Sequence, residues 1–102
     1  MADFQYTRTH LNFTGAETKT ITVDANHAAK IQYLEIFVAA ARVCEVKVGS
    51  TVVAKGTIAA EASPAVLRYG KGQGSGVFGD NITVQMDGVC EVFIGYESIA
   101  KT

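Results

Sequence analysis

Arg42-Val43-Cys44-Glu45-Val46-Lys47-Val48-Gly49 is typical of a β-strand, and Gly88-Val89-Cys90-Glu91-Val92-Phe93-Ile94-Gly95 repeats its pattern. In both segments, apolar and polar side chains alternate with the two-residue period of a strand. Each segment places its cysteine with the aliphatic residues on one face and its glutamate on the other. We therefore expect Cys44 and Cys90 to be buried in a core with reduced thiols.

The rest of the chain extends this pattern. Short alternating runs, separated by glycine, proline, asparagine and aspartate, recur through the 102 residues. Such spacing predicts an all-β fold of about eight strands, either an antiparallel β-sandwich or a barrel, and we expect the sandwich. An apolar content of 48% beside 19% charged residues is typical of one globular domain.

Two turn signals predict particular strand pairings. Gly49-Ser50 predicts a two-residue hairpin that sets Val46 opposite Val53. Asp87-Gly88 predicts a second hairpin, with a three-residue connection, because a two-residue loop would bury Glu91 without a partner. That register pairs inward positions of the two strands: Met86 with Cys90, Val84 with Val92 and Ile82 with Ile94.

The segment from Ile31 to Val38 allows two interpretations. As a strand, it points Leu34, Ile36 and Val38 into the core. As a helix, it would use the helical spacing of Ile31, Leu34, Val38 and Ala41. The β-branched and aromatic residues from Ile36 to Val38 favour the strand.

Residues 1–17 are expected to form an N-terminal arm, and residues 18–102 the sandwich. Apolar side chains occur on both parities of the arm, with Phe4 and Tyr6 on one and Leu11 and Phe13 on the other. One sheet face cannot bury both sets. The segment is therefore either a first strand of the sandwich or an extended arm that pairs with another chain.

No recognisable catalytic or metal-binding pattern accompanies these strands. The glycine-rich segment 70–79 lacks the spacing of a phosphate-binding loop. Cys44, Cys90, His10 and His27 could supply four metal ligands, but their spacing matches no zinc module. We expect no catalytic residues, no cofactor and no metal, and hence no enzyme.

Net charge and hydropathy indicate which classes of partner to expect. The net charge is −1 and the basic residues are scattered, so nothing indicates nucleic acid as a partner. The longest apolar run, Ile36 to Ala41, is far too short to span a bilayer, and no membrane partner is expected. Outward positions hold Val43, Val52, Phe37 and Phe93, which predicts self-association.

A series of short segments from Ala28 to Glu97 resembles a pattern found in small structural proteins of tailed bacteriophages. An apolar strand, an alanine-rich turn and an alternating strand are followed by a Gly-Ser-Thr turn. A short Gly-x-Ile-x-x-Ala segment, a strand ending in tyrosine, a glycine-rich loop and two further strands complete the series. The corresponding segments are Leu34 to Val38, Ala39-Ala40-Ala41, Val43 to Val48, Gly49-Ser50-Thr51, Gly56 to Ala59, Val66-Leu67-Arg68-Tyr69, Val77-Phe78-Gly79, Ile82-Thr83-Val84 and Ile94-Gly95-Tyr96.

This resemblance implies a jelly-roll-like sandwich that acts as a capsid decoration, or cement, protein. Its partners would be the major capsid protein and itself, as a homotrimer, in a virion assembled in the bacterial cytoplasm. We expect the arm and the glycine-rich loop to make these contacts, through Phe4, Tyr6, Arg8, Leu11, Phe13, Lys71 and Gln73. The alternatives are a carbohydrate- or receptor-binding module of a phage tail or fibre, and a small hydrolase.

Overall fold

A computed structural model describes residues 4–60, 65–68 and 78–100, without the side chains of residues 4, 5 and 65–68. Within these ranges the chain forms eight strands and no α-helix. The strands are β1 (Phe4–Phe13), β2 (Glu17–Thr22), β3 (His27–Phe37), β4 (Arg42–Val48), β5 (Thr51–Ile58), β6 (Ala65–Arg68), β7 (Asn81–Met86) and β8 (Cys90–Ala100).

The strands form two four-stranded sheets that pack on one another. Sheet 1 has the order β1-β8-β3-β6, and sheet 2 has the order β2-β7-β4-β5. Every pairing is antiparallel. β1 pairs with β8, β2 with β7, β3 with β6 and β4 with β5. The predicted antiparallel β-sandwich is therefore confirmed.

The core lies between the sheets and follows the expected alternation. Both repeated segments turn their cysteines inward, where Cys44 and Cys90 are 6% and 3% exposed and not joined by a disulfide. Glu45 and Glu91 face the outside. The predicted burial of the two thiols is confirmed. The largest fully buried side chains come from both sheets: Phe13, Ile31, Ile82, Met86, Ile94, Val46, Val48, Val84 and Val92.

The predicted hairpin at Asp87-Gly88 is wrong, although its inward residues are correct. Met86 pairs with Glu17 and Cys44 in sheet 2, whereas Cys90 pairs with Phe13 in sheet 1. The chain crosses between the sheets at this turn. Two strands that share a core show the same alternation whether they are neighbours or face one another, so the pattern could not distinguish these cases.

The hairpin at Gly49 is confirmed as a two-residue turn, since Val48 pairs with Thr51. Gly49 has a φ of 62°, a conformation that glycine adopts without strain. The predicted pairing of Val46 with Val53 is wrong, because Val46 lies opposite Ala54. A β-bulge places one extra residue in β5 and shifts the register.

The helical alternative for residues 31–38 is wrong, and a second bulge explains why it looked plausible. Ile31 pairs with Tyr96 and Tyr33 with Gly95, so one extra residue of β3 lies between them. This extra residue changes the parity of the strand. Ile31 and Leu34 therefore both point inward although they are three positions apart.

The expected separate arm is also corrected. β1 pairs with β8 over its whole length, from Phe4 opposite Ile99 to Phe13 opposite Cys90. Phe13 is fully buried in the core. The segment therefore forms the first strand of the sandwich, which is the other alternative that the sequence left open.

Gly79 connects sheet 1 to the turn of the β4–β5 hairpin in sheet 2. Gly79 exchanges two backbone hydrogen bonds with Ala29 of β3, at 2.8 and 3.0 Å. The same residue packs against the backbone of Val48 and Gly49, where a Cβ atom would come within 2.9 Å of three backbone atoms. A residue with a side chain would separate the turn from sheet 1.

Candidate functional site

The outer surface of sheet 1 carries a group of aromatic and charged side chains. Alternation along β1 turns Tyr6, Arg8 and His10 away from the core, and neighbouring positions of β8 and β3 do the same. We call this surface the aromatic face and define it by Tyr6, Arg8, His10, Tyr33, Phe37 and Phe93.

One half of the aromatic face is a cluster of three rings. The rings of His10 and Phe93 stack with centroids 4.5 Å apart and planes inclined by 8°. Phe37 meets Phe93 edge-on, at 5.7 Å and 87°. The His10 Nε2 atom lies 3.0 Å from a carboxylate oxygen of Glu91. The stacked and the edge-on arrangement are both favoured geometries for pairs of rings.

The other half joins β1 to β3 across the intervening strand. Arg8 Nη2 donates a 2.9 Å hydrogen bond to the Tyr33 hydroxyl, and the guanidinium carbon lies 5.5 Å from the Tyr33 ring centroid. The hydrogen bond to Tyr33, and then the electrostatic attraction of that residue, raise the pKa of Arg8 above its ordinary value. Like any arginine, Arg8 is charged at physiological pH, so this half of the aromatic face carries a positive charge.

Gly95 of β8 makes this reach possible. It lies directly between Arg8 and Tyr33 in the sheet. A Cβ atom there would overlap the Tyr6 hydroxyl and lie 2.7 Å from the Tyr33 ring. The glycine thus provides the groove into which two tyrosines lean.

A buried ion pair lies beside this groove, on the same side of the sheet. Lys30 and Glu97 are directly opposite one another on β3 and β8, and each is 8% exposed. The Lys30 Nζ atom lies 3.9 Å from the carboxylate and 4.8 Å from the Phe78 ring centroid. Phe78 therefore contributes a cation–π contact to an otherwise costly buried charge.

A shallow depression adjoins the ring cluster. Its walls include Phe37, Val89, Asn12 and Glu91. Phe37 and Val89 are 37% and 54% exposed, and Asn12 and Glu91 are also exposed. Apolar surface and hydrogen-bonding groups therefore meet at this end of the aromatic face.

The outer surface of sheet 2 has a second depression, lined by Glu17, Glu45, Lys55 and Asp87 among others. Its charges are engaged locally. Glu45 lies 3.5 Å from Lys55, and Asp87 accepts a 2.9 Å hydrogen bond from the Val43 backbone nitrogen. These carboxylates are held by neighbours of opposite charge or by the backbone.

The positions of the two thiols do not favour nucleophilic chemistry, because both side chains lie in the core. Burial raises the pKa of Cys44, and burial raises the pKa of Cys90 to about 11. A protonated thiol is a poor nucleophile and a poor metal ligand. Both cysteines are small core residues in this fold.

The structure places the expected interface residues in different environments. Tyr6 and Arg8 belong to the aromatic face, Leu11 packs partly buried against the core, and the Phe13 side chain is fully buried and cannot contact a partner. Phe4 lies in β1, but its side chain is outside the described part of the chain, as are Lys71 and Gln73.

Sequence reasoning found Phe37 and Phe93 as outward residues but did not connect them with the start of the chain. Tyr33 and His10 were missed as members of the site. The bulge in β3 changes the parity before Tyr33, and only the β1–β8 pairing brings His10 onto Phe93. A search for histidine and tyrosine at alternate positions of the first strand would have found part of this signal.

Within the described ranges, no cluster of three or more His, Cys, Asp and Glu side chains could hold a metal ion, and no helix is long and apolar enough to cross a membrane. No protein-family model matches the sequence, and no curated protein matches it.

Proposed function

We propose that this domain is a structural binding protein rather than an enzyme. It would decorate the shell of a tailed bacteriophage by binding the major capsid protein and stabilising the assembled virion. The observation that carries the proposal is the aromatic face. Tyrosine, phenylalanine and arginine are enriched at protein interfaces, where tyrosine and arginine often dominate the binding energy.

Two further observations support the phage assignment. The order of segments from Ala28 to Glu97 resembles that of phage structural proteins. The strand orders β1-β8-β3-β6 and β2-β7-β4-β5 support a jelly-roll connectivity, in which a long hairpin is folded over into two sheets. Capsid and lectin domains commonly use this connectivity.

The proposal is tested on particles produced by the genome that encodes this chain. Mass spectrometry of purified particles would measure the copy number of the protein relative to the major capsid protein. Wild-type protein should be present in many copies on shells, including shells that lack tails. Absence from particles, or presence only on tails, would contradict a decoration role.

Variants connect this test to the aromatic face. Tyr6→Ser and Phe37→Ser each remove an exposed ring and should lower affinity for the shell about thirtyfold, because an aromatic anchor contributes about 2 kcal/mol. Val52→Ser is the matched control, since Val52 is 45% exposed on the outer surface of sheet 2. Equal occupancy of all variants would show that the shell contacts another surface.

The second candidate is a carbohydrate-binding module. The depression beside Phe37 favours it, because an exposed ring lies next to the polar side chains of Asn12 and Glu91. Such a site stacks a sugar ring on the aromatic side chain and hydrogen-bonds its hydroxyls. A screen of immobilised bacterial surface glycans distinguishes the two candidates. Only a carbohydrate-binding module should bind a glycan, and Phe37→Ser should abolish that binding.

A further inference from the structure

β1 is the least protected edge of the sandwich. Each sheet has two edge strands, and exposed edges invite pairing with other chains unless they are blunted. β6 has only four residues, which is itself protective. β5 contains a bulge and Gly56, whose φ is 149°. β2 carries Lys19, an inward-pointing charge placed 5.7 Å from the Phe13 ring centroid.

None of these devices occurs on β1. Its ten residues pair with β8 in one uninterrupted register and contain neither proline nor glycine. In the described part of the chain, no strand pairs with its outer edge. The backbone N–H and C=O groups along that edge therefore form a template for another strand.

The side chains that could have shielded this edge turn away from it. Arg8 reaches over β8 to Tyr33, His10 stacks on Phe93, and Tyr6 leans over Gly95. All three lie back over their own sheet. The outward face is thereby ordered while the edge stays open.

We infer that the outer edge of β1 pairs with β1 of a second copy of this chain, in an antiparallel arrangement about a twofold axis. This inference rests on the self-association expected from the sequence, with a dimer in place of the homotrimer, and not on shell binding. The pairing joins two copies of sheet 1 into one continuous sheet with both cores on the same side. An isologous contact of this kind is the commonest way for a protein to form a closed assembly.

Charge selects the register. The outward residues of both copies lie on the same side of the joined sheet only if a residue of β1 lies on the twofold axis. The two copies of β1 overlap over the greatest length when that residue is Arg8 or Thr9. An axis at Arg8 sets two guanidinium groups directly opposite, which is destabilising. An axis at Thr9 sets Arg8 opposite the partner copy's His10, whose Nε2 atom lies 3.0 Å from the Glu91 carboxylate. In the dimer, Arg8 would leave Tyr33 and turn across the edge towards this carboxylate, so each interface would contain the contact twice.

The first test is the mass of the purified wild-type protein by sedimentation equilibrium. The inference expects about twice the 10.8 kDa of one chain at micromolar concentration. A monomer would overturn it, and so would a trimer, since threefold symmetry cannot pair β1 with itself. If the edge of β1 instead binds an extended strand of the shell protein, the purified protein should sediment as a monomer.

The second test identifies the register with engineered disulfides. Directly opposite residues of antiparallel strands have Cα atoms about 4.5–5.5 Å apart, within the range of a disulfide. Thr9→Cys should oxidise rapidly to a covalent dimer. Thr7→Cys alone should not, but it should cross-link to Leu11→Cys when the two variants are mixed. Rapid dimerisation of Thr7→Cys and not of Thr9→Cys would overturn the register.

The third test addresses charge and needs no cysteine. Arg8→Glu should weaken dimerisation at least about tenfold, as expected for a like-charge contact near Glu91. The double variant R8E/E91R should restore it, because the contact is rebuilt with exchanged signs. Loss of dimerisation in both variants, with β-type circular dichroism retained, would contradict the Thr9-centred pairing.

Discussion

Arg8 and Tyr33 lie on strands that are not neighbours, yet they share a 2.9 Å hydrogen bond above Gly95. The bond exists because the intervening strand has no side chain at the crossing point. It joins β1 to β3 on the outer surface, in addition to the backbone hydrogen bonds within the sheet. Gly95 therefore controls the shape of the aromatic face.

Gly95→Ala should keep the fold but rearrange the aromatic face. The new methyl group would displace the Tyr6 hydroxyl, which is the end of a flexible side chain, and press on the Tyr33 ring. We expect a changed near-UV circular dichroism spectrum with an unchanged far-UV spectrum. Gly15→Ala is the control, because nothing lies within 4 Å of a Cβ atom there. Identical near-UV spectra of Gly95→Ala and wild type would contradict this packing.

Phe13→Ala should destabilise the protein by about 3–5 kcal/mol, the cost of a large cavity in a core. Tyr6→Ala, on the same strand but 48% exposed, should cost only about 0.5 kcal/mol. Urea denaturation monitored by circular dichroism measures both. Similar small costs for the two variants would mean that β1 is an independent arm after all.

Gly79→Ala should cost about 1–3 kcal/mol through overpacking. Its Cβ atom would come within 2.5 Å of the Gly49 backbone nitrogen, and a backbone atom cannot move aside as a side chain can. Gly15→Ala again serves as the control in thermal denaturation. A melting temperature unchanged by Gly79→Ala would show that the hairpin turn is not held against sheet 1.

Lys30→Met should cost about 3 kcal/mol, because it leaves the Glu97 carboxylate buried without its partner. The double variant K30M/E97L should be close to wild type, since it removes both charges and the penalty of burying them. The comparison of single and double variants by chemical denaturation isolates the pair. Equal losses in the two proteins would mean that packing, not charge, determines stability there.

Stability should fall as the pH rises from 9.0 towards 11. The pKa of Cys90 is raised from 9.0 to about 11 by burial, so an unfolded chain loses this proton at lower pH than the folded protein does. Its contribution is complete below pH 9 and is lost as the pH passes through the folded value. Cys90→Ala should flatten this part of the stability profile. An unchanged slope in that variant would assign the pH dependence to other groups.

Much of the fold followed from local pattern alone. Alternation in the two repeated segments placed Cys44, Cys90 and their aliphatic neighbours inside, and Glu45 and Glu91 outside, because strand side chains alternate wherever the strand lies. Gly49-Ser50 identified a hairpin from the backbone conformation that its glycine permits. These inferences needed no knowledge of which strands are neighbours.

What the tertiary structure alone decided is which strands pair. Met86 and Cys90 are close in the chain, but they belong to different sheets. The alternation of apolar residues is the same for a buried strand of either sheet, so it cannot show which sheet a strand belongs to. Two bulges changed parity at places where no residue signals an insertion. The aromatic face depends on both effects, because His10 and Phe93 are brought together only by a pairing between the two ends of the chain.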